Sequence, residues 1–132
     1  MEEFLSIRGR LCRLKMNRFK VLEREFIVSQ LTKLFDKLKS VELAVLFGSL
    51  AKSDTSIHDV DVAIKFAEET SLLDLGYLVA KIAEALNINE EFIDIVDLDH
   101  VYPLLLLRIL DNGIIIKGSR KELEKLLRRA EL

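Results

Sequence analysis

Two short runs that otherwise read as buried strands carry aspartate inside them, and this restricts the fold more than any other feature of the chain. VDVAIKF (residues 60–66) and FIDIV (residues 92–96) are mostly apolar and rich in β-branched side chains, the composition of buried or half-buried strands. A charge in such a run is costly unless it is paired or faces a site. Asp59 and Asp61 stand two residues apart, so on a strand both carboxylates project to one face while Val60 and Val62 point into the core. Asp94 sits between Ile93 and Ile95, an acid interrupting an apolar run. Asp97 and Asp99 follow that run and read as loop residues.

The segments between these runs have helical spacing. Phe4, Ile7, Leu11 and Leu14, continued by Val21, Leu22, Phe26, Leu31, Leu34, Phe35 and Leu38, predict helix over residues 2–39, in two pieces broken near Asn17. VELAVLF (residues 41–47) predicts a buried strand ending at Gly48-Ser49. Leu72, Leu75, Leu78, Val79, Ile82, Ala83 and Leu86 predict a helix over 71–86, with Thr70 or Ser71 as N-cap. Pro103 opens a short apolar helix, PLLLLRIL. Asn112-Gly113 then turns the chain into a strand at Ile114–Ile116. Ser119 and Glu122 have capping-box spacing ahead of a last helix. Helices alternating with strands predict an α/β (α+β) fold, with a small mixed sheet of about four strands backed by helices. Strand order and direction are not readable from the pattern.

The chain has 132 residues, half of them hydrophobic, with a net charge of −2. That suits one domain over residues 1–132 and excludes intrinsic disorder. The single Cys12 excludes an internally disulfide-stapled module. The start, MEEFLSIRGRLCRLK, has no apolar core of signal-peptide length, and no later run approaches a membrane span. The expectation is a cytoplasmic protein with no membrane partner. The small net charge conceals a division along the chain. Residues 1–40 hold ten Lys/Arg against five Asp/Glu, residues 41–100 hold three against thirteen, and residues 101–132 hold seven against four. An acidic centre of this kind gathers cations or meets a basic surface. Glu68, Glu69, Glu90 and Glu91 are explained by solvation of helix ends and loops; Asp59, Asp61 and Asp94 are not.

Those three acids fit a specific chemistry. Adjacent carboxylates repel unless a positive charge lies between them, and hard divalent ions such as Mg²⁺ prefer oxygen ligands. Gly48 lets the backbone approach a ligand closely, and Ser49 supplies a hydroxyl beside free N–H groups, a combination suited to phosphate. Lys52 would neutralise a phosphate, or lie as a solvent-exposed helix lysine. Together these residues describe a two-metal phosphoryl-transfer site, in which a carboxylate accepts the nucleophile's proton.

The pattern G-S-x(9)-D-x-D followed by an isolated strand aspartate resembles the nucleotidyltransferases of the DNA polymerase β type. It is most similar to the minimal nucleotidyltransferases, the antitoxin partners of HEPN-domain toxins. The resemblance covers roughly residues 20–118, including ELAVLFGS, DVDVAI and the tail FIDIVDL…PLLLLRIL…G. It implies that Gly48 and Ser49 hold nucleotide phosphates and that Asp59 and Asp61 bind two Mg²⁺ ions. Asp94 would complete the triad and activate the acceptor hydroxyl. It further implies transfer of AMP from ATP to a hydroxyl, that of a tyrosine on a HEPN toxin. His58 stands where serine is frequent, and the basic stretch of residues 1–20 is an extension beyond the minimal pattern.

Two rival readings use the same fold: a stoichiometric antitoxin that masks its toxin without catalysis, and a small-molecule nucleotidyltransferase that borrows a helical domain in trans. With one Cys, His58 and His100 cannot build an ordinary four-ligand zinc site. Cys12, Tyr77 and Tyr102 read as packing residues. Arg8, Arg10, Arg13, Lys15, Arg18 and Lys20 form six positives with no acid between them. Nucleic-acid binding is disfavoured by the scarcity of interleaved aromatics and a whole-chain pI near 5.8, leaving a docking surface for an acidic partner or a solvated helix face. Apolar residues on the first helix and on PLLLLRIL suit association into a homodimer or hetero-oligomer, or equally a core.

Overall fold

The computed structural model describes residues 22–48, 55–56 and 59–130. In chain order the elements are β1 (Leu22–Glu23), α1 (Arg24–Asp36), β2 (Val41–Phe47), β3 (Thr55–Ser56), β4 (Val60–Phe66), α2 (Leu72–Leu86), β5 (Ile93–Asp97), α3 (Pro103–Asn112), β6 (Ile114–Lys117) and α4 (Arg120–Ala130). One turn of 3-10 helix, Glu90–Phe92, leads into β5.

Four strands form the main sheet in the order β5-β4-β2-β6. β4 and β5 are parallel and joined through α2, whereas β2 is antiparallel to both β4 and β6. This is the mixed four-strand sheet the sequence predicts. Its two faces are both covered, which explains why β2 and β4 read as nearly continuous apolar runs. On one face Val60, Val62 and Ile64 of β4 pack with Ile27, Leu31 and Phe35 of α1 and Leu78, Ile82 and Leu86 of α2. On the other, Leu43, Val45 and Ala63 pack with Leu106 and Ile109 of α3 and Leu123 and Leu126 of α4. Burying each large aliphatic side chain contributes roughly 1.5–3 kcal/mol relative to exposure.

Local signals fix most helix ends. Ser71 caps α2 in a capping box with Asp74, each side chain meeting the other's backbone N–H. Asn87 ends the helix in the left-handed conformation. Ser119 and Glu122 form the expected box, the Ser119 N–H donating to Glu122 Oε1 at 2.8 Å and the Glu122 N–H to Ser119 Oγ at 3.4 Å. Pro103 occupies the first turn of α3.

Three expectations are corrected. The long N-terminal helix does not run through residues 22 and 23, which pair as β1 with Thr55–Ser56 of β3, so α1 starts at Arg24; residues 1–21 lie outside the described residues. β5 spans Ile93–Asp97 rather than 92–96, because Phe92 closes the 3-10 turn. Asn112 is the last residue of α3 rather than part of the turn, and Gly113, at φ −72°, alone leads the chain into β6. Glycine is required there by proximity, since a Cβ would overlap the Ile109 carbonyl oxygen and the Val45 side chain.

Lys117 supplies a tie that no local pattern announces. From edge strand β6 its Nζ donates to the carbonyls of Phe35, in the last turn of α1, and Leu38, just beyond it, each at 2.9 Å. Those carbonyls also accept the backbone N–H groups of Leu38 and Val41, and the lysine adds a charged donor at the negative end of the helix dipole. Lys117→Met is expected to lower unfolding free energy by about 1–2 kcal/mol in urea titrations, whereas Lys121→Met, on the exposed surface of α4, leaves the midpoint unchanged.

Candidate active site

The sheet aligns the acids through its register. Phe47 of β2 pairs with Asp61 of β4, and Asp61 pairs in turn with Asp94 of β5. Because the β4–β5 ladder is parallel and in step, Asp61 and Asp94 emerge side by side on the same face. Asp59, two residues before Asp61, adds a third carboxylate. One oxygen from each of Asp59, Asp61 and Asp94 lies within 4.8 Å of the others. Val60, between Asp59 and Asp61, and Val62, after Asp61, are fully buried on the opposite face. The alternation inferred from the sequence is therefore what the backbone adopts.

Gly48 adjoins this cluster. It follows the last residue of β2 with φ +78°, a conformation that L side chains rarely adopt. A Cβ built there would overlap the carboxylate of Asp61. Two constraints thus demand glycine at one position: the backbone angle, and the space the acid occupies. Of the other residues singled out in the sequence, Ser49, Lys52 and His58 lie outside the described residues, as does Cys12.

Asp59 and Asp94 are exposed and Asp61 is partly buried. Burial, then the negative charges of Asp94 and Asp59, push the Asp61 carboxyl up to about 6 from its ordinary value of 3.8, and protonated Asp61 also hydrogen-bonds with Asp94. Three clustered carboxylates without a compensating cation strain the folded state, and a hard divalent ion is the partner such an oxygen set accepts.

The flanking polar residues serve structure. Asp97 ends β5 and accepts from the Asp99 backbone N–H at 3.0 Å, and its carboxylate meets His100 Nδ1 at 2.9 Å. That contact raises the His100 pKa. Asp99 pairs with Lys65 at 3.4 Å. Tyr77 and Tyr102 are exposed rather than packed. Two features of the site escape a linear reading: Phe47, placed beside Asp61 by strand pairing, and the β1–β3 ladder, which fastens the start of α1 to the segment between Gly48 and Asp59. A two-residue strand carries no periodicity, so no pattern in the sequence could have disclosed it.

A strand ending in a mandatory glycine beside three converging carboxylates, on a mixed sheet covered by helices, is an arrangement that phosphoryl transfer from a nucleotide can use. Residues 29–122 match the family model described as polymerase beta, nucleotidyltransferase, and the chain belongs to that family. A Methanocaldococcus jannaschii protein assigned the name protein adenylyltransferase is 33% identical over 75 residues, covering 56% of this chain and 77% of the relative. The fold is shared with a solved complex of a tri-AMPylated Shewanella oneidensis HEPN toxin and its MNT antitoxin, at TM-score 0.62 and 23% identity, covering 82% of this chain and 83% of the matched one. It is also shared with a toxin–antitoxin structure containing AMP-PNP, at TM-score 0.62 and 23% identity, covering 83% and 85%.

The raised Asp61 pKa has a signed consequence. Between about pH 4 and pH 6 the folded chain holds a proton that the unfolded chain has released, so rising pH lowers stability across that window. Asp61→Asn removes this loss. In divalent-free buffer the variant is expected to be more stable than the parent by about 1 kcal/mol at pH 7, a value reduced for solvent screening at a partly exposed site. The difference should vanish by pH 4 in thermal melts. Gly48→Ala should cost about 1–3 kcal/mol in the same measurement.

Proposed function

We propose that this chain transfers AMP from ATP to the hydroxyl of a tyrosine on a HEPN-type toxin, and thereby acts as its antitoxin. The observation that carries the reading is the convergence of Asp59, Asp61 and Asp94 beside Gly48. The adenylyltransferase relative and the AMP-PNP-containing neighbour support ATP as the donor. The AMPylated toxin seen with its MNT antitoxin supports the acceptor.

The donor set fits Mg²⁺: carboxylate oxygens alone, from three residues, with the Asp61 carboxyl pushed up by burial and then by the charges of Asp94 and Asp59. Asp59 and Asp61 would hold the ion or ions, with Asp94 completing the set. Bound there, magnesium would neutralise the phosphate charge and stabilise the attacking and leaving oxygens. Gly48 leaves room for the triphosphate against the strand end, and Ser49 and Lys52 would contact its phosphates. Asp94, exposed at the margin of the cluster, accepts the proton of the acceptor hydroxyl. The acceptor oxygen forms a bond to the α-phosphorus, the bond from that phosphorus to the β-phosphate oxygen breaks, and pyrophosphate departs. ATP as donor fits a cytoplasmic protein, and among the described residues no helix is long and apolar enough to cross a membrane.

Incubation with a HEPN-type toxin partner, ATP and MgCl₂ is expected to yield toxin carrying AMP, read by intact-mass spectrometry. Asp59→Ala and Asp61→Ala should each reduce adduct formation by at least about a hundredfold, the scale on which a removed electrostatic group in a transfer site is felt. An undiminished adduct in either variant would overturn the assignment. Neutralisation of the toxin by Asp61→Ala without any adduct would instead favour masking by binding. MgCl₂ should raise the melting temperature of the parent but not of Asp61→Ala.

A further inference from the structure

The end of the sheet opposite the acids carries a second concavity. A groove of about 410 Å³ opens between the end of α1, the start of β2 and the first turns of α2. Its walls are apolar, formed by Leu38, Val41, Phe66 and Leu78. Its rim is acidic, with Glu68, Glu69 and Asp74 against Lys39 as the one cation among the lining residues. Beside it α2 presents a second apolar stripe to solvent. Leu73, Gly76, Tyr77 and Ala80 follow helical spacing and are all exposed. Leu72 and Leu73 are 84% and 86% exposed, and Tyr77 is 59% exposed. Nothing lies within 4 Å of where a Gly76 side chain would begin. A helix buried on one side and apolar on the other is built for a contact on both sides.

The sequence contains an occupant of matching chemistry. Residues 8–20 hold six Lys/Arg and no acid, and Phe4, Ile7, Leu11 and Leu14 recur at helical spacing. The described chain begins at Leu22, beside the first turn of α1. The groove lies past the other end of that helix, whose 13 residues span about 20 Å. Twenty residues at helical rise reach about 30 Å, enough to return along α1 to the groove.

We propose that residues 1–20 dock in cis on this distal surface. Their apolar positions cover Leu72, Leu73 and Tyr77, and their basic residues lie against Glu68 and Glu69. Connection through Leu22 favours the segment's own chain over another copy, because attachment raises its local concentration to the millimolar range. The contact is remote from the acid cluster and independent of the AMP-transfer reading.

Cys12, the single cysteine, provides the probe. A nitroxide attached there should broaden the amide signals of residues 66–78 in ¹⁵N-labelled full-length protein, and broadening confined to other residues would overturn the docking. Mixing spin-labelled ¹⁴N chains with unlabelled ¹⁵N chains tests the cis arrangement: broadening of residues 66–78 in that sample would assign the surface to a second copy. Glu68→Lys with Glu69→Lys reverses the rim at two exposed positions and leaves the Asp74 cap intact. This variant should melt with the parent yet be cleaved by trypsin after Arg13 and Lys15 about fivefold faster, as the undocked population grows. An unchanged cleavage rate would also overturn the proposal.

Discussion

Everything at the site depends on the in-register parallel pairing of β4 with β5. It sets Asp61 beside Asp94, and the alternation of β4 adds Asp59 on the same side. The arrangement is electrostatically unfavourable by itself: burial, then the charges of Asp94 and Asp59, raise the Asp61 pKa. The surrounding fold supplies the compensation: both sheet faces are sealed by helices, and Val60 and Val62 are fully buried. Apolar burial on one side of a strand thus holds three repelling charges together on the other.

Gly48 shows how tightly that compromise is drawn. The chain leaves β2 so close to Asp61 that there is no space for a methyl group. The strand end, the acid cluster and the positive φ are therefore one constraint rather than three. A ligand approaching along β2 meets bare backbone and carboxylate in the same place, which suits a phosphate accompanied by a cation.

The legible and illegible parts of the molecule divide on physical grounds. The parity of Asp59 and Asp61, the isolation of Asp94 and the capping boxes at Ser71 and Ser119 are local, and local patterns report them faithfully. Strand order is not local, so the adjacency of Phe47, Asp61 and Asp94 emerges only from the folded sheet. Residues 22 and 23 look helical because Leu22 continues the apolar spacing of α1, but pairing with Thr55–Ser56 overrides a propensity worth tenths of a kcal/mol per residue. The distal groove was hidden for a related reason. Leu38, Phe66 and Leu78 belong to separate stretches of chain, and the exposed Leu72 and Leu73 look in sequence like the buried leucines that follow them.

The βαβ crossover between Phe66 and Ile93 has a consequence for how such a domain can diverge. Asp94 stands one residue into β5, so inserting a single residue between Ile93 and Asp94 would turn the acid toward α1 and α2 and offer an aliphatic side chain in its place. The connecting segment is under no such parity rule, because whatever its length β5 need only enter the sheet at Ile93. Evolutionary variation in length is therefore tolerated in the crossover and forbidden in the first two residues of the strand it feeds.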